Sequence, residues 1–174
     1  MFTIGAITVS LFFCAERNYE YFLAKISKHI CKHSDLICYC LMPNHFHLMI
    51  QVKQDAKGTE LNSEIGTMLR SYTRAINLQE ERTGSLFQQK TKAKNVGSHC
   101  LICFNYIHQN PFKAGIVGKI EDWSYSSFDE YLGKKSNPLS NIELGRKIID
   151  FKSKEEFYKL SYQNIDPVHR DEIF

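Results

Sequence analysis

Between residues 82 and 120 the chain has no aspartate and no glutamate, against six basic side chains: Arg82, Lys90, Lys92, Lys94, Lys113 and Lys119. The whole 174-residue chain is nearly balanced, with a formal charge of +3. The segment, rather than the total, therefore excludes an acidic surface there and suggests an anionic partner. Long apolar runs are also missing. None approaches the roughly 20 residues of a transmembrane helix, so no membrane partner is expected. The apolar start MFTIGAITVSLFF lacks a basic lead and a small-residue cleavage site, so it reads as a strand rather than a signal peptide. There is no repeat and no low-complexity linker, and the length suits one domain with its own core.

A disulfide framework is absent too. Cys14, Cys31, Cys38, Cys40, Cys100 and Cys103 sit mostly inside apolar runs, as small buried hydrophobes of a reducing, cytoplasmic compartment do. Only Cys100 and Cys103 make a C-x-x-C. A structural zinc site needs four ligands, and Cys38 with Cys40 would supply the second pair only by coincidence of fold.

What is present has a readable order. Residues 3–13 are rich in β-branched and aromatic side chains and predict a strand. NYEYFLAKISKHICKH places Tyr19, Phe22, Leu23, Ile26 and Ile30 at helical spacing, with Asn18 as the N-cap. Residues 35–42 and 45–52 are apolar runs separated by Pro43-Asn44, a hairpin signal. Leu61, Ile65, Met68, Leu69, Tyr72, Ile76 and Leu78 mark a long amphipathic helix over 59–81. A basic extended stretch follows. A second helix spans 98–109, closed by Pro111 after Asn110. DWSYSSFDEYLG opens a helical C-terminal portion. The order predicts an α+β protein: an antiparallel sheet with helices packed on one face, plus a helical C-terminal extension.

The chemistry concentrates in YCLMPNHFHLMI. Alternate strand residues share a face, so His45 and His47 project together while Phe46 points into the core. Two adjacent imidazoles can chelate a divalent ion, although an isolated pair more often stands partly exposed on the open face of a sheet. In NYIHQNP, Tyr106 and Asn110 are four apart and stack on one helical face. Beside a metal, the Tyr106 hydroxyl can attack a phosphodiester and the Asn110 oxygen can complete the coordination. Taken singly, Tyr106 is also a plausible rim residue and Asn110 a helix cap before proline.

YCLMPNHFHLMI, followed in order by YIHQNPFKAGIV and WSYSSFDEYLG, resembles the REP-associated tyrosine transposases of the insertion sequence 200-like group, single-tyrosine HUH nucleases. The resemblance runs from about Asn18 to Leu132. It implies a ferredoxin-like antiparallel sheet carrying the His pair, with Tyr106 as nucleophile and His45, His47 and Asn110 as ligands of Mg²⁺ or Mn²⁺. It also implies cutting of single-stranded DNA beside a hairpin through a 5′-phosphotyrosine link. Residues 1–132 would form the nuclease domain and 133–174 its helical extension. One element departs from the pattern: FTIGAITVSLFF stands where relatives carry an Asn-Arg-Gly strand.

On this reading Lys90, Lys92 and Lys94, alternating along an extended stretch, track a phosphate backbone of single-stranded or hairpin DNA. Arg70, Arg74 and Lys113 are further DNA-binding candidates. His108, two positions from Tyr106, is structural or DNA-facing and not a general base. A homodimer is compatible with this reading, Tyr106 attacking in its own subunit or in the other. Two other readings stand beside it: a non-catalytic hairpin-DNA-binding remnant, and a small cysteine/histidine metalloprotein with no DNA role.

Overall fold

A computed structural model describes residues 1–7, 13–87 and 92–165. Strands β1 (Phe2–Ile7), β2 (Ser34–Met42), β3 (His45–Val52) and β4 (Lys92–Asn95) form one antiparallel sheet in the order β2-β3-β1-β4. Helix α1 (Glu16–His29) links β1 to β2, and α2 (Gly58–Gln79) links β3 to β4. Each crossover skips one strand, so the four strands and two helices make the split β-α-β arrangement expected of a ferredoxin-like fold. The hairpin falls where Pro43-Asn44 predicts it, with Met42 paired to His45 across a two-residue connection.

Helices α1 and α2 share one face. Phe22 and Ile26 of α1, its C-cap Ile30, and Met68, Tyr72 and Ile76 of α2 close over Phe46, Leu48 and Ile50 of β3 and Leu36, Tyr39 and Leu41 of β2. Asn18 serves α1 differently from expectation. The N-cap is Ala15, and Asn18 lies inside the first turn, where its Oδ1 accepts from the backbone N–H of Ala15 (2.9 Å) and Cys14 (3.1 Å). This is the inner, reaching-back half of a capping arrangement.

The expectation of helices on one face needs correction. Helix α3 (Cys100–Lys113) covers the opposite face, packing Cys103, Phe104 and Ile107 against Cys38, Cys40, Met42 and Met49. The short helices α4 (Phe128–Tyr131), α5 (Ile142–Ile149) and α6 (Lys154–Ser161) extend that second core through Phe128, Ile149 and Phe157. The reason is legible in β2, which is buried at every position except Asp35 and so demands cover on both sides. A bulge at Ile37, between the pairs Leu36–Ile50 and Cys38–Met49, shifts the alternation of β2 and gives the second core one extra residue.

Helix α3 also outruns its predicted end. Pro111 lies within its last turn. It removes one N–H, but bonding resumes at once, from Ala114 N–H to Asn110 O (2.9 Å) and from Ile116 N–H to Pro111 O (3.0 Å). Gly115, in the left-handed region at φ +69°, ends it.

The segment WSYSSFDEY zips along the free edge of β2. Leu41 N–H donates to Tyr125 O (2.9 Å) and Ser127 N–H to Tyr39 O (3.0 Å). The Trp123 indole N–H donates to Leu41 O (3.1 Å) and the Tyr131 hydroxyl to Ile37 O. An edge that would otherwise present unpaired backbone groups is thereby closed. Among the described residues, no helix is long and apolar enough to cross a membrane, and the six cysteines are free thiols.

Candidate active site

His45 and His47 leave β3 on the face covered by α3, and Phe46 is fully buried on the other. The two imidazole centroids are 5.0 Å apart with the rings nearly perpendicular. Helix α3 meets them with one open stripe. From Cys103 to Pro111 every residue is buried except Tyr106 and Asn110, and these two face the histidines. The Tyr106 ring lies 5.6 Å from that of His47, edge to face. The Asn110 side chain hydrogen-bonds with His45, a contact that raises the imidazole pKa against the larger lowering by burial.

The pairing rests on matched spacing. Four residues of helix advance about 6 Å, and two residues of strand about 6.8 Å. Tyr106 thus aligns with His47 while Asn110 aligns with His45, α3 running against β3.

Burial holds both imidazoles neutral. Desolvation lowers the His45 pKa, opposed by Asn110. His47 is pushed down to about 3, by desolvation first and by His45 second. Neutral imidazoles are the metal-ligating form. His45 Nδ1 lies 2.7 Å from Asn44 Oδ1, a partner that sequence reading passed over because Asn44 registers there only as a turn residue.

Two nitrogens and one amide oxygen suit a divalent cation of the Mg²⁺, Mn²⁺ or Zn²⁺ kind. The buried Asn110 Nδ2 lacks a hydrogen-bond partner, so this amide is held by packing with its oxygen turned to the His pair. Among the described residues, no three His, Cys, Asp or Glu side chains are grouped to hold a metal, and Asn110 is the polar side chain that α3 brings to the His pair. Burial raises the thiol pKa of Cys38, Cys40 and Cys103, which keeps them as neutral thiols in the second core.

The DNA-binding candidates divide by face. Across the sheet, Lys92 pairs with Gly5 and Gly5 with His47, while Lys94 pairs with Thr3 and Thr3 with Met49. Directly paired residues share a face, so Lys92 and Lys94 stand on the histidine side. Lys92 is two strand spacings, about 10 Å, from His47, with only a glycine between. All of β4 is exposed. Lys113, exposed, follows Asn110 by three residues on α3. Arg70 and Arg74 are exposed on α2, which covers the opposite face of the sheet, so the structure does not bring them to this cluster. Lys90 lies outside the described residues. His108 is fully buried, with Nε2 2.8 Å from Ser127 Oγ. It joins α3 to the segment along β2, and the DNA-facing alternative is excluded.

No family model matches the chain. A Haemophilus influenzae protein, provisionally named a REP-associated tyrosine transposase, is 26% identical over 118 residues. The match takes in 58% of this chain and 64% of that relative's length. The solved structure of a REP-associated tyrosine transposase bound to a REP hairpin superposes with a TM-score of 0.59 at 18% identity, covering 80% of this chain and 82% of the other. The chain shares that fold.

Proposed function

We propose that this protein is a metal-dependent single-stranded DNA endonuclease and strand transferase, acting on hairpin-bearing DNA through a 5′-phosphotyrosine intermediate. The observation that carries this reading is the alignment of Tyr106 and Asn110 along His47 and His45. It gathers one nucleophile and three neutral donors on one open stripe of an otherwise buried interface. The similarity to transposases, one of them bound to a hairpin, supports the same substrate.

His45, His47 and Asn110 would hold Mg²⁺ or Mn²⁺. When bound, the cation supplies Lewis-acid polarisation of a non-bridging phosphate oxygen. Because all three protein donors are neutral, they cancel none of its charge toward the phosphate. The Tyr106 oxygen bonds to phosphorus as the bond from phosphorus to the 3′-oxygen breaks. The phenolic proton is lost, and the 3′-oxygen departs as a hydroxyl on taking up a proton. The phosphotyrosine ester conserves the bond, so attack by another 3′-hydroxyl reverses the step and joins strands. His108, sealed against Ser127, takes no proton in this scheme. Lys92 and Lys94 lie where an unpaired strand crossing Gly5 from the His pair would pass, and Lys113 flanks Asn110.

The test is covalent capture. Incubated with hairpin-bearing single-stranded DNA and Mn²⁺, the protein should yield an adduct that survives a denaturing gel. Tyr106→Phe should fold and bind the same DNA yet give none. An adduct with Tyr106→Phe moves the nucleophile elsewhere. Binding by the parent protein with no adduct at any metal concentration favours a non-catalytic hairpin-binding protein.

A further inference from the structure

We propose that Asn44 is a positioning residue that holds the His45 imidazole in the Nδ1–H tautomer and so presents Nε2 as the donor atom. The proposal deepens the metal-site reading above and rests on it for its purpose, though not for its test.

The contact is short and directional. His45 Nδ1 lies 2.7 Å from Asn44 Oδ1, and an amide oxygen only accepts. Asn110 also accepts from this ring, so one ring proton serves two oxygen acceptors, and we assign it to Nδ1, at the 2.7 Å contact with Asn44 Oδ1. A neutral imidazole carries one ring proton, so the lone pair is left on Nε2. Histidines that bind metals usually have the second nitrogen fixed in this way by an oxygen acceptor, which sets both tautomer and ring orientation.

The backbone makes Asn44 suited to the task. It is the second residue of a two-residue connection, preceded by a proline whose ring fixes φ. Pro43 O accepts from Phe13 N–H at 3.2 Å, which ties the turn to the chain entering α1. The Asn44 side chain is short and reaches its neighbour from a fixed base. His45 needs this more than its partner. It opens β3 and is only partly buried, whereas His47 is buried beside Tyr106 and pairs with Cys40 and Gly5. A competing explanation is that asparagine stands here only because it suits turns. The two explanations differ in what they expect of the side-chain oxygen.

The experiment reads ring nitrogens by ¹⁵N NMR in the metal-free protein at neutral pH, with Mn²⁺ affinity measured separately by calorimetry. The parent protein should show His45 protonated on Nδ1. Asn44→Gly, which keeps the turn and removes the oxygen, should shift His45 toward the Nε2–H form and lower Mn²⁺ affinity by about 10–100-fold. Asn44→Asp, which keeps an acceptor oxygen, should restore the tautomer. Unchanged amide exchange in the hairpin would show that the turn survived. A His45 tautomer that is the same in the parent protein, Asn44→Gly and Asn44→Asp overturns the proposal and leaves Asn44 a turn residue. If the parent protein binds no Mn²⁺, the metal reading fails while the tautomer measurement still decides the role of Asn44.

Discussion

Phe46, Leu48 and Ile50 project from β3 into the layer beneath α1 and α2, whereas His45 and His47, one step out of phase, project toward α3. The first face is closed by rings. Phe22 packs against Phe46 and Tyr72 with centroids 5.0 and 4.8 Å away, and Phe13 stacks on Tyr19 at 4.1 Å. The second face is an apolar core with a polar stripe left in it. Apolar packing and the polar stripe are thus interleaved along one strand. The alternation of the pleat keeps a substitution for one purpose from disturbing the other.

The largest expected effect tests that separation directly. Phe46→Ala should lower unfolding free energy by about 3–5 kcal/mol, read from denaturant midpoints. His47→Ala should change it by about 1 kcal/mol or less, because it removes a desolvated polar group together with its packing. Equal losses would mean that both faces serve the core and that the histidine side has no separate role.

Acid should separate the faces next. Desolvation depresses His47 and His108 to about 3, below the unfolded value of about 6.5. The unfolded chain therefore binds these protons first. Stability is full above pH about 6.5 and falls as pH drops toward 3, by up to about 1.4 kcal/mol per group per pH unit. Urea midpoints of the metal-free protein between pH 7 and 4.5 measure the slope. Replacing His108 by Gln should remove about half of it, whereas a flat profile in the parent protein would mean that neither imidazole is as desolvated as its packing indicates.

The smallest effect concerns salt. Lys92→Gln with Lys94→Gln should reduce the salt dependence of single-stranded DNA binding by up to about 1.4 in the slope of log K against log salt. Arg70→Gln with Arg74→Gln should leave it unchanged. The same reduction from both pairs would show that DNA wraps both sides of the sheet.

Much of this architecture was legible beforehand, because it follows from local pattern. The Pro43-Asn44 hairpin, the His-x-His alternation and the Tyr106–Asn110 spacing each need only the period of one element. What was hidden depends on partners far away in the chain. Nothing in residues 98–109 tells which sheet face α3 will cover. The burial of β2 on both sides decides that, and the one-face expectation failed there. Arg70 and Arg74 look as basic as Lys92 and Lys94, and only strand register shows that the two pairs stand on opposite sides. WSYSSF reads as the start of a helix because its real task, pairing with the backbone of β2, leaves no periodic trace. Pro111 misled for a simpler reason: a proline in a last turn costs one bond and does not end a helix.

The match between one helical turn and two strand residues has a consequence for how this chain can change over time. Each helical residue turns the axis by about 100°. One residue inserted between Tyr106 and Asn110 would carry Asn110 a quarter of the way round α3 and away from His45, and one inserted between His45 and His47 would send the two rings to opposite faces. Side chains along this stripe can be exchanged one at a time, but its length cannot drift. Insertions and deletions should accumulate instead in the connections, such as the polar loop between β3 and α2 or the stretch after Gly133. Across a set of diverged sequences, gaps would therefore outline the site as two ungapped blocks, even where the residues within them vary.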